Sequence, residues 1–272
     1  MADFDWDNLT QEDRHRAGQF ALERIFFRLA ENEEALQNWR LHATSRLAED
    51  NAATALYRSM SEEIHYLLSS AADHLATVRA LVHTGDIPPF APYTLLRSAI
   101  ESSALVIWLQ NGGSLDKRVF RYIQMQWTLR LNVNTYTTSA GTHTQEITDL
   151  LNALLTDMKN ARGGIRQKNF EVPMPSITDI LIEVDRKVVV TGGLNGLAAW
   201  RACSGVTHGN HHFTHGLLDE QPMPQNDRGA VVRRLASLAS LALMSSPAIE
   251  YLEQAVNVTI GHSQPRPGRP AL

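Results

Sequence analysis

Residues 61–85 read SEEIHYLLSSAADHLATVRALVHTG. The apolar side chains Ile64, Leu67, Leu68, Ala71, Leu75, Val78, Leu81 and Val82 recur at steps of three and four. At 3.6 residues per turn these steps gather them into one stripe along a helix, whereas a strand would need strict alternation. Ser61 followed by Glu63 supplies a helix start, and Gly85 supplies a stop.

The same periodicity extends in both directions. Upstream, residues 11–30 and 33–50 read as one or two amphipathic helices. Downstream, DIPPFAP (86–92) is a rigid turn, because Pro88, Pro89 and Pro92 cannot continue a helix. The next segment, 93–113, is apolar nearly all round in its second half and closes on Gly112–Gly113, as expected of a helix inside a bundle. Further helices are expected at 115–136, at 144–160, and over SITDILIEVDRKV, where Ser176 and Asp179 form a capping box. TGGLNG (191–196) reads as a helix stop and restart, and DEQPMPQND (219–227) as a loop. A last helix starts near Arg228 and is kinked or split at Pro247. The expected fold is an all-α multi-helix bundle. Residues 1–60 form a helical extension, 61–259 the bundle, and 260–272 a tail without fixed structure.

Composition narrows the function classes. A net charge of −4 provides no overall basic field to recruit nucleic acid, so any such role needs a local patch. The single cysteine, Cys203, excludes a disulfide framework and a multi-cysteine zinc site, and fits a reducing cytoplasm. The longest strongly apolar run, 104–109, falls far short of the roughly 20 residues that span a bilayer, so no membrane partner is expected.

Chemistry concentrates in WRACSGVTHGNHHFTHG (200–216), where four histidines fall within eight residues. On a continuous helix His208 would share a face with His212, and His211 with His215. A stable metal site wants a third ligand, and the zinc-peptidase H-E-x-x-H pattern is absent. The cluster therefore reads as solvated histidines, with no metal and no cofactor expected. Arg201 and His208 are more suggestive. Seven residues make two turns less about 20°, so on a helix they share a face, about 10 Å apart along the axis. Cleavage of RNA by its own 2′-hydroxyl needs a group that moves protons near neutral pH and a cation that holds the phosphate. Histidine suits the first role and arginine's planar fork the second.

Arg201-x6-His208 resembles the R-x4–6-H signature of HEPN domains, helical bundles named for higher eukaryotes and prokaryotes nucleotide-binding. The helix YTLLRSAIESSALVIWL, with Arg97 and Glu101, is similar to the arginine–glutamate helix of uncharacterised bacterial HEPN-like proteins, which also carry a stretch like SGVTHG. The resemblance runs from about residue 64 to 244. It implies a dimeric bundle, and in many members a metal-independent endoribonuclease of toxin, antiphage or CRISPR-type defence systems. An antitoxin or another defence component would be the protein partner. Active members commonly carry a polar residue after the arginine, where this chain has Ala202.

Arg97 and Glu101 lie on a stripe that continues to Trp108, so their charges need compensation. Two placements are open: Glu101 orients Arg201 or His208, or the pair is a surface-edge salt bridge. Arg97 is a candidate for holding substrate. Lys159, Arg162 and Arg166, around Gly163–Gly164, could contact RNA phosphates. A homodimer is expected from the resemblance and because a helix as apolar as 100–109 needs cover on several sides. Two functions remain open: a ribonuclease using His208 and Arg201 with Glu101 in support, or a non-catalytic bundle that binds a nucleotide-like ligand or a protein.

Overall fold

The 64–82 stripe lies on one unbroken helix. A computed structural model describes residues 10–54, 59–142, 145, 149, 156, 173–191, 193–226 and 229–266. Among them run α1 (Gln11–Gln37), α2 (Arg46–Thr54), α3 (Met60–Thr84), α4 (Ala91–Gln110), α5 (Leu115–Ser139), α6 (Ile177–Asp185), α7 (Gly196–Thr207) and α8 (His211–Leu217). Strands β1 (Leu218–Asn226) and β2 (Gly229–Ala236) and the last helix, α9 (Leu238–Ser263), complete the order. Among the described residues the all-α expectation holds apart from one antiparallel hairpin.

Local signals account for most boundaries. The start of α3 is set two residues earlier than Ser61: the Ser59 hydroxyl accepts from the Glu62 amide at 3.3 Å. Asn51 holds Ser61 instead, accepting its amide at 3.0 Å and donating to its hydroxyl at 2.7 Å. Gly85, at φ +73°, ends the helix in a conformation that costs a side-chain-bearing residue energy. Ser176 accepts from the Asp179 amide at 3.2 Å, as its capping box requires.

Two expectations are corrected and two are narrowed. The segment 219–236 is a hairpin rather than a loop and a helix start, with Leu218 paired to Ala236 and Asn226 to Gly229. Pro222 spoils a central strand, but in a two-stranded ribbon both strands are edges, where a missing N–H can face outward. Helix α9 runs through Pro247 without splitting. Residues 260–263, assigned to the tail, form its last turn, and Pro265 bridges Ser45. Finally, residues 11–37 form one helix, since nothing between Ala30 and Glu33 stops it. The helix expected at 144–160 lies outside the described residues, apart from 145, 149 and 156.

The chain divides into two compact units. The first gathers Met1–Asn38, Leu68–Ala104 and Leu181–Val256, the second Trp39–Leu67, Leu105–Ile180 and Asn257–Leu272. Leu68, Leu75, Val78, Leu96, Ile100, Ile107, Trp108, Leu181 and Leu238 are buried, and Leu67 is half-buried.

The second unit buries charge as well as hydrocarbon. Arg118 of α5 and Asp50 of α2 are 2% and 1% exposed in their side chains. The guanidinium grips the carboxylate from Nη2 at 2.6 Å and from Nε at 2.8 and 3.0 Å. Burial pushes the Asp50 carboxyl up while Arg118 pulls it down. Nearby, the Arg46 Nη1 lies 3.1 Å from Nε2 of His262, and Nη2 donates to the Gly113 carbonyl at 3.2 Å. The His262 Nδ1 lies 3.1 Å from Oε1 of Gln110, whose amide nitrogen donates to Thr259 at 2.6 Å. An imidazole between an arginine and an amide oxygen is neutral, with its proton on Nδ1. Burial, then the charges of Arg46, Arg118 and Arg266, push His262 down to about 4.

Two outcomes are expected. Arg118→Met leaves an uncompensated buried carboxylate and should cost about 3–5 kcal/mol in urea unfolding, more than any exposed arginine replaced in the same way. Because the folded His262 resists protonation that the unfolded chain accepts near pH 6.5, its contribution is intact above that pH and is lost as pH falls toward 4. Melting temperatures of His262→Gln should therefore fall less steeply than wild type across that window.

Candidate functional site

Helix α7 carries the arginine–histidine pair, and its start is held from below. Asp185, the last residue of α6, accepts the amides of Gly196 and Leu197 at 2.9 and 3.2 Å. Asn195 caps the helix by accepting from Ala198 at 2.8 Å. The Asp185 carboxylate also accepts the hydroxyl of Tyr251 from α9, and burial together with that carboxylate pushes the phenol well above its usual range. A side chain on Gly196 would stand inside the Tyr251 ring. The amides at the start of α7, which would otherwise attract an anion, are thus filled by the protein's own groups.

The end of α7 is equally defined. His208 is its C-cap and Gly209, at φ +68°, comes next in the left-handed region. The Asn210 amide bonds back to the Gly205 carbonyl at 2.9 Å, and the Gly209 amide to Val206 at 3.0 Å, a Schellman ending. Asn210 then caps α8 by accepting from His212 at 3.1 Å. This two-residue Gly–Asn joint divides the histidine cluster. His208 belongs to α7, and His211, His212 and His215 to α8, so His208 and His212 do not share a helical face.

Arg201 and His208 stand two turns apart on α7, both exposed. Helical rise places them about 10 Å apart along the axis. No hydrogen bond or ion pair among the described residues joins them. Gly205 lies between them, and the ring of Phe213, 38% exposed, rests directly on it. The surface therefore presents a cation, an aromatic edge and an imidazole in sequence.

Glu101 does not reach this pair. Its Oε1 accepts the Trp200 indole N–H at 2.6 Å and an Arg97 N–H at 3.0 Å. Arg97 in turn lies over the Trp200 ring, 5.3 Å from its centroid. Trp200 precedes Arg201 by one residue, about 100° away around the helix, so Glu101 holds the flank of α7 beside the exposed Arg201. Arg97, the candidate for holding substrate, pairs with Glu101 and lies over Trp200. The seam between α4 and α7 continues at a 3.1 Å hydroxyl contact between Thr94 and Thr207. Cys203 lies within it, fully buried, its thiol pushed up to about 12 by burial against the pull of Arg97, which rules it out as a nucleophile near neutral pH.

The remaining histidines take separate roles. The rings of His211 and His212 lie 3.9 Å apart. His215 contacts Glu220 of β1 from Nδ1 at 2.8 Å, and Arg234 of β2 lies 3.2 Å from the same carboxylate. This trio, which sequence reasoning missed, ties α8 to the hairpin. Five- and nineteen-residue separations carry no local signal until the hairpin is known. Among the described residues no group of three histidine, cysteine, aspartate or glutamate side chains is placed to hold a metal ion. Lys159, Arg162 and Arg166 lie outside the described residues. No described helix is long and apolar enough to cross a membrane.

Comparison with known proteins found no family model, no curated protein and no solved structure that matches this chain.

Glu101→Ala should strand the Trp200 indole and the Arg97 guanidinium together. The expected cost is about 1–3 kcal/mol in chemical denaturation, with a change in tryptophan emission that Glu101→Gln, which keeps an acceptor for the indole, largely avoids.

Proposed function

We propose that the chain is a metal-independent endoribonuclease of HEPN type, in which Arg201 holds the scissile phosphate and His208 transfers protons. The observation that supports this reading is the exposure of both side chains, two turns apart, on the one face of α7 that the packing of α4 and α9 leaves open. Histidine moves protons near neutral pH, and a planar guanidinium matches phosphate oxygens. The Phe213 ring, seated on Gly205 between them and partly exposed, would be an aromatic contact for a nucleobase, of the kind that RNA-binding surfaces use widely. Lys159, Arg162 and Arg166 would add phosphate contacts. By the HEPN resemblance the setting would be cytoplasmic toxin or antiphage defence, with an antitoxin or defence component as protein partner.

A second reading, a non-catalytic bundle that binds a nucleotide-like ligand or a protein, is favoured by one observation. Glu101 is engaged with Trp200 and Arg97 rather than with His208.

Purified protein incubated with total RNA in excess EDTA separates the two. Cleavage that persists with EDTA and falls at least about a hundredfold in His208→Ala and in Arg201→Ala, with the helical spectrum unchanged, supports the enzyme. His211→Ala should be nearly silent. RNA bound without cleavage supports the second reading, and neither binding nor cleavage removes both RNA-directed roles.

A further inference from the structure

Helix α1 carries large apolar side chains on two sides. Its inner side, with Leu22, Ile25, Phe26 and Leu29, is at most 6% exposed. Its outer side carries Phe20 and Phe27, 68% and 67% exposed and seven residues apart, so they stack along one line of the helix. Burying a phenylalanine is favourable relative to leaving it in water, so two of them in line form a surface suited to a partner.

We propose that the outer face of α1 pairs with the same face of a second copy of this chain, the two helices running antiparallel across a twofold axis between Glu23 and Arg24. A twofold contact must be self-complementary, and this register meets that demand. Phe20 falls level with the partner's Phe27, and Phe27 with the partner's Phe20. Arg24 falls level with the partner's Glu23, and Arg16 with the partner's Glu31, each pair occurring twice. Within the chain Arg16 is bonded to Glu12, and both are largely exposed, so the guanidinium can turn between the two carboxylates. Asp13 and Glu34, the next level pair, are both acidic and mark where the contact ends. A partner of single charge sign would meet repulsion from either Arg16 and Arg24 or Glu23 and Glu31.

The relief of the surface fits the same pairing. On one flank of the Phe20 ridge lies a hollow of about 330 Å³, lined by Ala17, Ala21 and Arg24 of α1 and Ala242 and Leu243 of α9. On the other flank lies a hollow of about 570 Å³, lined by Gln19, Glu23, His83 and Leu235. A ridge between two hollows is the form that antiparallel helices use to interlock. The reason for a dimer drawn from the apolar helix does not stand, because Ile100, Ala104, Val106, Ile107, Trp108 and Leu109 are at most 3% exposed within the single chain. The pairing proposed here uses a different surface and is independent of the ribonuclease reading.

Light scattering on the full chain over a concentration series tests the pairing. Wild type should approach twice 30.3 kDa and dissociate on dilution. Phe20→Ser with Phe27→Ser should hold at one chain mass with an unchanged circular dichroism spectrum. Arg24→Glu should weaken association at least about tenfold by placing two acids at each central contact, and adding Glu23→Arg should restore it. Single-chain mass for wild type throughout, a dimer indifferent to the phenylalanine pair, or failure of the charge swap to restore association each overturns the proposal.

Discussion

One carboxylate sets the position of the surface on which the chemistry would occur. Asp185 accepts two amides from the start of α7 and a hydroxyl from Tyr251 of α9. A carboxylate with several donors is strongly held, and losing it would leave three buried or half-buried donors without an acceptor. Gly196 is the corresponding steric constraint, since the helix can begin so close to the Tyr251 ring only without a side chain. Fixing that end of α7 fixes the phase of the whole helix. Ala199, Cys203 and Val206 then turn inward, Trp200 turns to Glu101, and Arg201 and His208 turn to solvent.

The two compact units meet their polar burdens in different ways. In the first, carboxylates serve the backbone and its hydroxyls: Asp185 as described, and Glu250, which accepts the amide of Thr191 at 3.2 Å and is bonded by its hydroxyl. In the second, guanidinium groups are the main buried donors, with Arg118 clasping Asp50 and Arg121 donating to the Trp108 carbonyl. Such pairs cost desolvation and are weak evidence of stability, but breaking one is expensive. His262 belongs to this second set, and its neutrality follows first from burial and then from the arginines around it.

Much of the helical fold was legible in the sequence because stripe and stop signals are local. The 64–82 stripe, Gly85 and the Ser176–Asp179 box each act within a few residues. The hairpin was not legible, because Pro222 and Pro224 argue against a strand and only the pairing of 218–226 with 229–236 outweighs them. The start of α3 was misplaced for a similar reason, as Asn51, ten residues away, takes Ser61 out of the capping position. At the site, the shared face of Arg201 and His208 could be read from their spacing. The partner of Glu101 could not, since Trp200 lies ninety-nine residues away. Gly209 carried a readable signal for the break that separates His208 from the other histidines, and Asn210 strengthens it by capping α8.

In the ribonuclease we propose, a guanidinium and an imidazole on an open face would serve cleavage of RNA by its own 2′-hydroxyl. The 2′-hydroxyl gives up its proton and attacks the adjacent phosphorus, and the 5′-oxygen leaves with a proton returned to it. That route forms a cyclic ester, whereas attack by water from the opposite side does not. Mass spectrometry of the fragment ends therefore tests the central claim most directly. Fragments ending in a 2′,3′-cyclic phosphate opposite a 5′-hydroxyl, formed in EDTA and absent when the RNA is 2′-deoxy at the cut position, are the predicted result. Fragments ending in a 3′-hydroxyl and a 5′-phosphate, or RNA left intact, would contradict it.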